Sequence, residues 1–245
     1  MQPILSDFYS KDDGGHPDVE ALAQAGAPWC GVLLKVSEGT YYTSGDWLKD
    51  YWTRVRAAGI RAHRYGLSWF RAGYHYFRVD QDPVKQADLF LSMVQAAGGW
   101  DLDGDLWPVV DVETAEQPPI VSAQQIVDSV SKFSERLATA HGRRPVLYAG
   151  SFIRDHRITD HMGCQYLITA AYGSALPAKL YVDMGWPLDK LLGWQYEGTD
   201  GYSGPSGYPR TSPAGAGPQD LTAITICNGA TPDEQLAWIA AHLSS

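Results

Sequence analysis

The stretch Leu106-Trp107-Pro108-Val109-Val110-Asp111-Val112-Glu113 is a short apolar strand that ends in two carboxylates. Side chains at positions i and i+2 of a strand point to the same face, so Asp111 and Glu113 emerge side by side, roughly 7 Å apart along the backbone. Two carboxylates held this close push their pKa values apart, so that one stays protonated near neutrality and acts as an acid. Hydrolysis of a glycosidic bond needs such an acid. The alternative interpretation is a solvated strand end, where Asp and Glu are common.

The chain on both sides of this strand alternates short apolar runs with helical patterns. Such alternation indicates βα units and a parallel sheet. Strands are predicted at Ile4–Tyr9, Gly31–Val36, Ala72–Phe77, Leu106–Glu113, Pro145–Ala149, Gln165–Ala171, Leu191–Tyr196 and Leu221–Cys227.

Helices fit between the early strands, and the cap residues mark their ends. They are predicted at Asp18–Ala25, Asp46–Ala58 with its end at Gly59, Pro83–Ala97, Ser122–His141 with Ser122 as N-cap, and Thr231–His242. After about residue 150 the helices shorten, and the Gly-, Ser- and Pro-rich stretch Glu197–Pro218 is predicted to be a long loop. The pattern is five βα units followed by a mostly β tail, and a single barrel-like α/β domain over residues 1–245 is its simplest closure.

The composition excludes several classes of protein. The formal net charge of −9 does not favour binding to nucleic acid, because the phosphate backbone is itself negatively charged. No uncharged apolar stretch approaches ~18 residues, so no membrane insertion is predicted. Because Met1–Asp7 has neither a basic segment nor a long apolar one, no signal peptide is predicted. The 3 cysteines include no CxxC pair, so a disulfide framework is not expected and at most one bridge could form.

Acids and aromatic residues fall where a parallel barrel places its functional residues, at the carboxyl ends of strands. Asp7 lies near the end of the first predicted strand, Glu38 follows the second, and Asp220 precedes the last. Further candidates are Tyr74 and His75 in the third strand and Trp194, Gln195 and Tyr196 at the end of the seventh. Their convergence on one rim predicts a cleft for an uncharged or weakly charged saccharide. Each acid taken singly could instead be a turn or cap residue.

Several blocks of the sequence resemble the glycoside hydrolase family 25 lysozymes in order and spacing. Asp111-Val112-Glu113 matches the family's D-x-E signature, and Lys35-Val36-Ser37-Glu38-Gly39-Thr40 resembles its K-x-[ST]-E-G segment. The other similar blocks are Ala57-Ala58-Gly59, Gly73-Tyr74-His75-Tyr76-Phe77, Gln86-Ala87-Asp88-Leu89-Phe90, Arg144-Pro145-Val146-Leu147-Tyr148, Ala171-Tyr172-Gly173 and Trp194-Gln195-Tyr196.

The resemblance implies an irregular TIM-like barrel of about eight strands. It implies an N-acetylmuramidase that cleaves the β-1,4 bond between N-acetylmuramic acid and N-acetylglucosamine in peptidoglycan. Glu113 would be the general acid/base, and Asp111 would stabilise the transition state or orient the substrate's N-acetyl group. The configuration would be retained, with neighbouring-group help from the N-acetyl oxygen favoured over a carboxylate nucleophile.

The resemblance also assigns the remaining candidates. Asp7 matches the family's N-terminal Asp, and Asp220 its late Asp, with Asp200 as the competing residue. Substrate contacts are expected from Glu38, Tyr74, His75, Tyr172, Trp194 and Gln195. No cofactor and no metal ion are predicted. The chain departs from the family pattern in its opening Asp7-Phe8-Tyr9-Ser10, in an apparent insertion at Ile60–Arg71 and in the length of the Glu197–Gln219 loop.

Other functions stay open at this point. A non-catalytic glycan-binding or virion-structural domain could use the same fold, and a glycosidase could act on another N-acetylated polysaccharide such as chitin. The expected partner is the glycan strand of bacterial peptidoglycan, and the oligomeric state is left open. Muramidase chemistry without a signal peptide suits a phage-encoded lytic enzyme that reaches the cell wall by another route.

Overall fold

The structure is a computed structural model that describes most of the chain. The described residues are 1–10, 16–64, 68–101, 104–114, 117–172, 183–198, 205–214, 220–226 and 230–243, and for 62–64 only the backbone is described.

In the described residues, nine strands form one sheet, and eight of them close it into a barrel. The strands are β1 (Ile4–Phe8), β2 (Trp29–Glu38), β3 (Tyr42–Thr43), β4 (Phe70–Tyr76), β5 (Val109–Val112), β6 (Val146–Ala149), β7 (Tyr166–Ala170), β8 (Leu191–Glu197) and β9 (Leu221–Ile224). Around the barrel the order is β1-β2-β4-β5-β6-β7-β8-β9 and back to β1, and β3 pairs only with β2. Strand β9 is antiparallel to both of its neighbours, whereas the other barrel pairings are parallel. The predicted α/β barrel of about eight strands is confirmed.

The helices pack against the barrel, and four of them begin at a residue whose side chain caps the helix. They are α1 (Val19–Ala25), α2 (Gly45–Arg64), α3 (Pro83–Ala96), α4 (Ala123–His141), α5 (Ser151–Asp155) and α6 (Pro232–His242). Ser122 and Gln125 form a reciprocal capping box at the start of α4, and Thr231 and Glu234 form another at α6. None of the helices in the described ranges is long and apolar enough to cross a membrane.

The predicted end of α2 at Gly59 is wrong, because the helix continues to Arg64. Gly59 instead allows a close contact between the helix and the Trp69 side chain. A Cβ at this position would lie 2.8 Å from the Trp69 ring, so only glycine lets the helix pack so near that side chain. The helix and the start of β4 therefore account for part of the predicted insertion at Ile60–Arg71.

Two apolar layers follow from the alternation of side chains along the strands. Val109 packs inside the barrel with residues such as Leu5 and Leu33, whereas Val110 and Val112 pack outside against the helices. By the same alternation, Asp111 and Glu113 face the barrel interior at the end of β5. Cys30 and Cys164 are buried free thiols, and Cys227 lies outside the described residues.

A buried ion pair joins β4 to the segment that leads into β5. The Arg71 guanidinium donates from Nε to Asp105 Oδ1 at 2.7 Å and lies 3.9 Å from the centre of the Trp52 ring. Asp105 Oδ2 also accepts from the Asp101 backbone N–H at 2.6 Å. Both side chains of the pair are almost fully buried, so neither charge has water as an alternative partner.

Asp105→Ala is expected to lower the free energy of unfolding by about 3–5 kcal/mol, because it leaves the Arg71 charge buried without its partner. Urea unfolding measures the change. The matched control is Asp88→Ala, which breaks the half-exposed pair between Asp88 and Arg136 and should cost at most about 1 kcal/mol. Equal losses in the two variants would contradict this account of the Arg71 pair.

Candidate active site

The candidate site lies at the rim where the parallel strands end. Asp7 is near the end of β1, and Asp111 and Glu113 stand at the end of β5. Asp220 precedes β9 in the chain, but β9 runs antiparallel, so its beginning reaches the same rim. The Asp7 backbone N–H donates to the Asp220 carbonyl at 2.9 Å and ties the two segments together. One reversed strand thus brings an acid from the C-terminal part of the chain to those of β1 and β5.

These acids line a cleft of about 180 Å³ that opens into the barrel mouth. We call it the acid cleft. Its residues are Asp7, Leu33, Lys35, Tyr74, Tyr76, Val109, Asp111, Glu113, Tyr148 and Asp220. The four acids predicted as catalytic residues and the predicted substrate contact Tyr74 therefore lie together. Asp200, the alternative to Asp220, is outside the described residues.

Asp111 is held in conditions that oppose its ionisation. Burial raises its pKa well above the ordinary value, and the charges of Glu113, Asp7 and Asp220 act in the same direction, whereas Lys35 opposes them. Its Oδ1 is buried and has no hydrogen-bond partner in the described part of the chain. Asp111 therefore has an oxygen available for a group that enters the cleft.

Glu113 has a raised pKa as well, first through burial and then through the charge of Asp220. A hydrogen bond with the Tyr148 hydroxyl and the charge of Lys35 act against this rise. Unlike Asp111, which is only 6% exposed, Glu113 is partly open to solvent. A carboxyl group that holds its proton to higher pH and still reaches solvent is suited to donate a proton to a bound substrate.

Lys35 brings a positive charge into the acid cleft, and it was not among the predicted site residues. Its ammonium group lies 4.5, 4.9 and 5.5 Å from the ring centres of Tyr9, Tyr76 and Tyr42, and it donates to Glu38 Oε2 at 2.9 Å. These contacts hold a charged side chain that is only 8% exposed. The signal in the sequence was a lysine inside the otherwise apolar run of β2, where a charge needs partners.

Tyr148 is a second site residue that the sequence did not single out. Its buried hydroxyl has one proton to donate and lies within hydrogen-bond reach of two acceptors, Gln195 Oε1 and the Glu113 carboxylate. Gln195 was predicted to contact substrate; its side chain is buried against Tyr148, and its contact with substrate stays a prediction. The amide acts on the site through Tyr148.

His75 and Trp194 do not line the acid cleft, contrary to prediction. His75 alternates with Tyr74 and Tyr76 along β4, so it points outward, where its Nδ1 bonds with Ser37 and its Nε2 with Gln86. Burial there lowers the pKa of its imidazole to about 4. Trp194 packs in the outer layer and donates its indole N–H to the Ala171 carbonyl at 2.7 Å. Both residues therefore support the barrel wall.

Glu38 and Tyr172 lie beside the acid cleft. Glu38 accepts from Lys35 and, at 3.3 Å, from Arg78, so it holds the cation that faces the acids. Tyr172 is partly buried and close enough to Tyr148 for its charge to affect the pKa of that hydroxyl. Their contact with substrate stays a prediction. Within the described residues, no group of three or more His, Cys, Asp or Glu is arranged to hold a metal ion.

Comparison with known proteins assigns the chain to a protein family. Residues 14–204, more than half of the chain, match the family described as glycosyl hydrolases family 25. The chain belongs to glycosyl hydrolase family 25. The matched range contains Lys35, Asp111 and Glu113, whereas Asp7 and Asp220 lie outside it and join the site through the closure of the barrel.

A curated relative supports the family assignment. The N,O-diacetylmuramidase of Chalaropsis sp is 31% identical over 122 residues, which cover 48% of this family 25 chain and 53% of that protein. The match therefore spans about half the length of this relative.

Solved structures share the barrel. The muramidase from Trichobolus zukalii has a TM-score of 0.70 at 21% identity and covers 98% of this chain and 99% of its own. The bacterial lysozyme from Streptomyces coelicolor has a TM-score of 0.69 at 19% identity over 100% and 99%. The catalytic domain of endolysin ply40 from bacteriophage P40 of Listeria monocytogenes has a TM-score of 0.65 at 18% identity over 100% and 98%. At these identities the likeness shows the fold.

The pH dependence of this family 25 site should follow the charge of Lys35. Glu113 is the predicted general acid, and a general acid works while protonated, so activity is expected to fall as pH rises through the raised pKa of Glu113. Lys35 lowers the pKa of both Glu113 and Asp111. Lys35→Met is therefore expected to move the alkaline limb of the kcat/KM profile to higher pH.

The control for this prediction is Lys49→Met, which removes an exposed lysine paired with Asp46 on α2 and should leave the profile in place. The measurement is kcat/KM against pH at constant ionic strength, because salt screens charges near the surface. An alkaline limb that stays fixed or moves to lower pH in Lys35→Met would show that this charge does not govern the acid.

Proposed function

We propose that this protein hydrolyses the β-1,4 bond between N-acetylmuramic acid and N-acetylglucosamine in bacterial peptidoglycan. The observation that carries the proposal is the pair at the end of β5, where Glu113 has a raised pKa and Asp111 stands beside it in one cleft. Membership of family 25 and the likeness to an N,O-diacetylmuramidase support this choice of substrate.

Glu113 is the general acid and then the general base of this mechanism. Its proton passes to the glycosidic oxygen as the C1–O bond of the muramic acid residue breaks. The carboxylate that results removes a proton from the water that later attacks C1. The partial exposure of Glu113 lets it meet both the leaving oxygen and the incoming water.

Asp111 acts on the N-acetyl group in the mechanism that we favour. The acetyl oxygen attacks C1 as the leaving sugar departs, and water then opens the resulting ring from the other face, so the configuration is retained. The buried Asp111 Oδ1 has no hydrogen-bond partner in the described residues, and an amide N–H of the substrate would supply one. In the alternative, Asp111 itself is the nucleophile.

The substrate class is tested by offering two polymers to the same protein. Purified peptidoglycan and chitin oligomers are incubated separately with the wild type, and new reducing ends are counted. We expect reducing ends from peptidoglycan and at least about tenfold fewer from chitin at equal sugar concentration. Preference for chitin would replace the proposed substrate, and glycan binding without any product would favour a non-catalytic domain.

The biological setting that we propose is lysis of the bacterial cell wall by a phage-encoded enzyme. The likeness of the fold to a phage endolysin catalytic domain is consistent with that origin. The acidic net charge of −9 gives no attraction to anionic wall polymers. Within this chain, the contact with the wall that we propose is recognition of the glycan in the cleft, and a partner chain or a virion is the alternative source of targeting.

A further inference from the structure

Tyr148 stands between Glu113 and a buried amide, and its hydroxyl has more acceptors than protons. The hydroxyl lies within hydrogen-bond reach of Gln195 Oε1 and of the Glu113 carboxyl group. Burial, together with the charge of Glu113, raises the pKa of Tyr148 well above its ordinary value. The hydroxyl therefore keeps its single proton through neutral pH, and that proton can be donated to only one of the two acceptors at a time.

The Gln195 amide is a fixed acceptor. Gln195 lies in β8 between Ala170 of β7 and Thr222 of β9, and its backbone carbonyl accepts from the Ala171 N–H at 3.2 Å. Its side chain is only 1% exposed, and in the described part of the chain Tyr148 is its one hydrogen-bond partner. A buried acceptor that loses its partner costs free energy, so Tyr148 cannot turn its proton away from Gln195 without a penalty.

The protonation state of Glu113 decides whether the two acceptors compete. When Glu113 is protonated, the Tyr148 O–H can donate to Gln195 while the Tyr148 oxygen accepts from the carboxyl group, so both hydrogen bonds form. When Glu113 is ionised, the carboxylate attracts the Tyr148 proton more strongly than an amide oxygen does, and Gln195 loses its partner. Gln195 therefore adds a cost to the ionised state of Glu113 that the protonated state does not have.

We propose that Gln195 is a positioning residue that directs the Tyr148 proton away from Glu113 and so keeps Glu113 in its acid form until substrate binds. This role rests on the proposed function, in which Glu113 gives its proton to the glycosidic oxygen. After that transfer the Tyr148 hydroxyl keeps its own proton and turns it from Gln195 Oε1 to the new carboxylate. The hydroxyl thus faces Gln195 while Glu113 is an acid and faces Glu113 while it is a base.

Other titratable and charged groups face Glu113 or Tyr148 from several elements. In the described residues they are Asp7 on β1, Lys35 on β2, Tyr76 on β4, Asp111 on β5, Tyr172 after β7 and Asp220 before β9. Glu116 lies outside the described residues. Substitutions of Gln195 and Tyr148 leave all of these groups in place, so a difference between such variants reports on the hydroxyl and its acceptors.

The test measures the pKa of Glu113 without substrate. Protein labelled with ¹³C at the glutamate side-chain carboxyl is titrated by NMR, and the Glu113 signal is assigned by its absence in Glu113→Gln. Gln195→Leu removes the competing acceptor, so the pKa of Glu113 is expected to fall by about 0.5–1. Tyr148→Phe removes the donor, so the pKa is expected to rise. In the Tyr148→Phe background, Gln195→Leu should have no further effect, because Gln195 acts only through that hydroxyl.

The matched control is Gln235→Leu, which should leave the pKa of Glu113 unchanged. Gln235 is a fully buried glutamine of α6, and its side-chain amide has no hydrogen-bond partner in the described residues. Thermal unfolding verifies the fold of each variant, and Gln195→Met repeats the substitution with the length of glutamine kept. An unchanged or raised pKa in Gln195→Leu and Gln195→Met, or an equal fall in the Tyr148→Phe background, would overturn the inference.

Activity on peptidoglycan gives a second, separate measurement. The alkaline limb of the kcat/KM profile should move with the pKa of Glu113, to lower pH in Gln195→Leu and to higher pH in Tyr148→Phe. An active protein in which the titration of Glu113 does not move would overturn this inference alone. A protein that digests no peptidoglycan but titrates as expected would overturn the proposed function and still support the effect of Gln195 on Glu113.

Discussion

Replacement of Glu113 by glutamine is expected to lower kcat/KM on peptidoglycan by about 10³-fold or more. Glutamine keeps the size of the side chain and its contact with Tyr148, but it has no proton to give to the leaving oxygen. The raised pKa of Glu113 shows that its surroundings are arranged to keep that proton. The rate of release of reducing ends, measured over a range of peptidoglycan concentrations, gives the change.

The fold of Glu113→Gln serves as the control for its activity. Because burial and the charge of Asp220 oppose ionisation of Glu113, removal of the charge should leave the melting temperature at pH 7 unchanged or higher. Loss of activity in a protein that melts as the wild type does would locate the defect in the chemistry. An undiminished rate would contradict the role of Glu113 as the acid.

Replacement of Asp111 by asparagine is expected to have the second largest effect, a loss in kcat of about 10²–10³-fold with little change in KM. Asparagine removes the negative charge that would stabilise the developing positive charge or orient the N-acetyl group. Asp111 is more deeply buried than Glu113 and is surrounded by the other acids of the cleft. Steady-state kinetics on peptidoglycan separate kcat from KM.

The same substitution makes a prediction about stability with a definite sign. The folded-state pKa of Asp111 is raised, so between its unfolded and folded values the native state binds more protons, and this group lowers stability as pH rises. Asp111→Asn should therefore unfold at a higher temperature than the wild type at pH 7 and show a smaller advantage near pH 4. The control is Asp46→Asn on the exposed surface of α2. A rate equal to that of the wild type, or a melting temperature lowered at pH 7, would contradict this account.

Strand alternation explains both the success and the errors of the sequence analysis. It correctly placed Asp111 and Glu113 on one face, because positions i and i+2 depend only on the strand itself. The same alternation requires Tyr74 and His75 to face opposite sides, and likewise Trp194 and Gln195, but the sequence analysis assigned both members of each pair to the cleft. Which member of each pair faces the cleft depends on register within the closed barrel, and irregular pairing near Ser37 and Gln195 shifts that register.

Partners far apart in sequence explain the residues that were missed. Lys35 becomes a site residue because Tyr9, Tyr42 and Tyr76 surround it, and these rings meet only when β1, the β2–β3 hairpin and β4 come together. Tyr148 becomes a site residue because closure of the barrel brings Glu113 and Gln195 to its hydroxyl. Gly59 shows the converse, since a local signal for a helix end is overridden by the close contact of Trp69.

The most direct test of the central claim is to identify the bond that is cut. Purified peptidoglycan is digested by the wild type and by Glu113→Gln, and the released fragments are reduced with borohydride and analysed by mass spectrometry. We predict fragments that end in reduced N-acetylmuramic acid from the wild type and almost none from the variant. Fragments that end in reduced N-acetylglucosamine, or no fragments from either protein, would contradict the assignment of a muramidase with Glu113 as its acid.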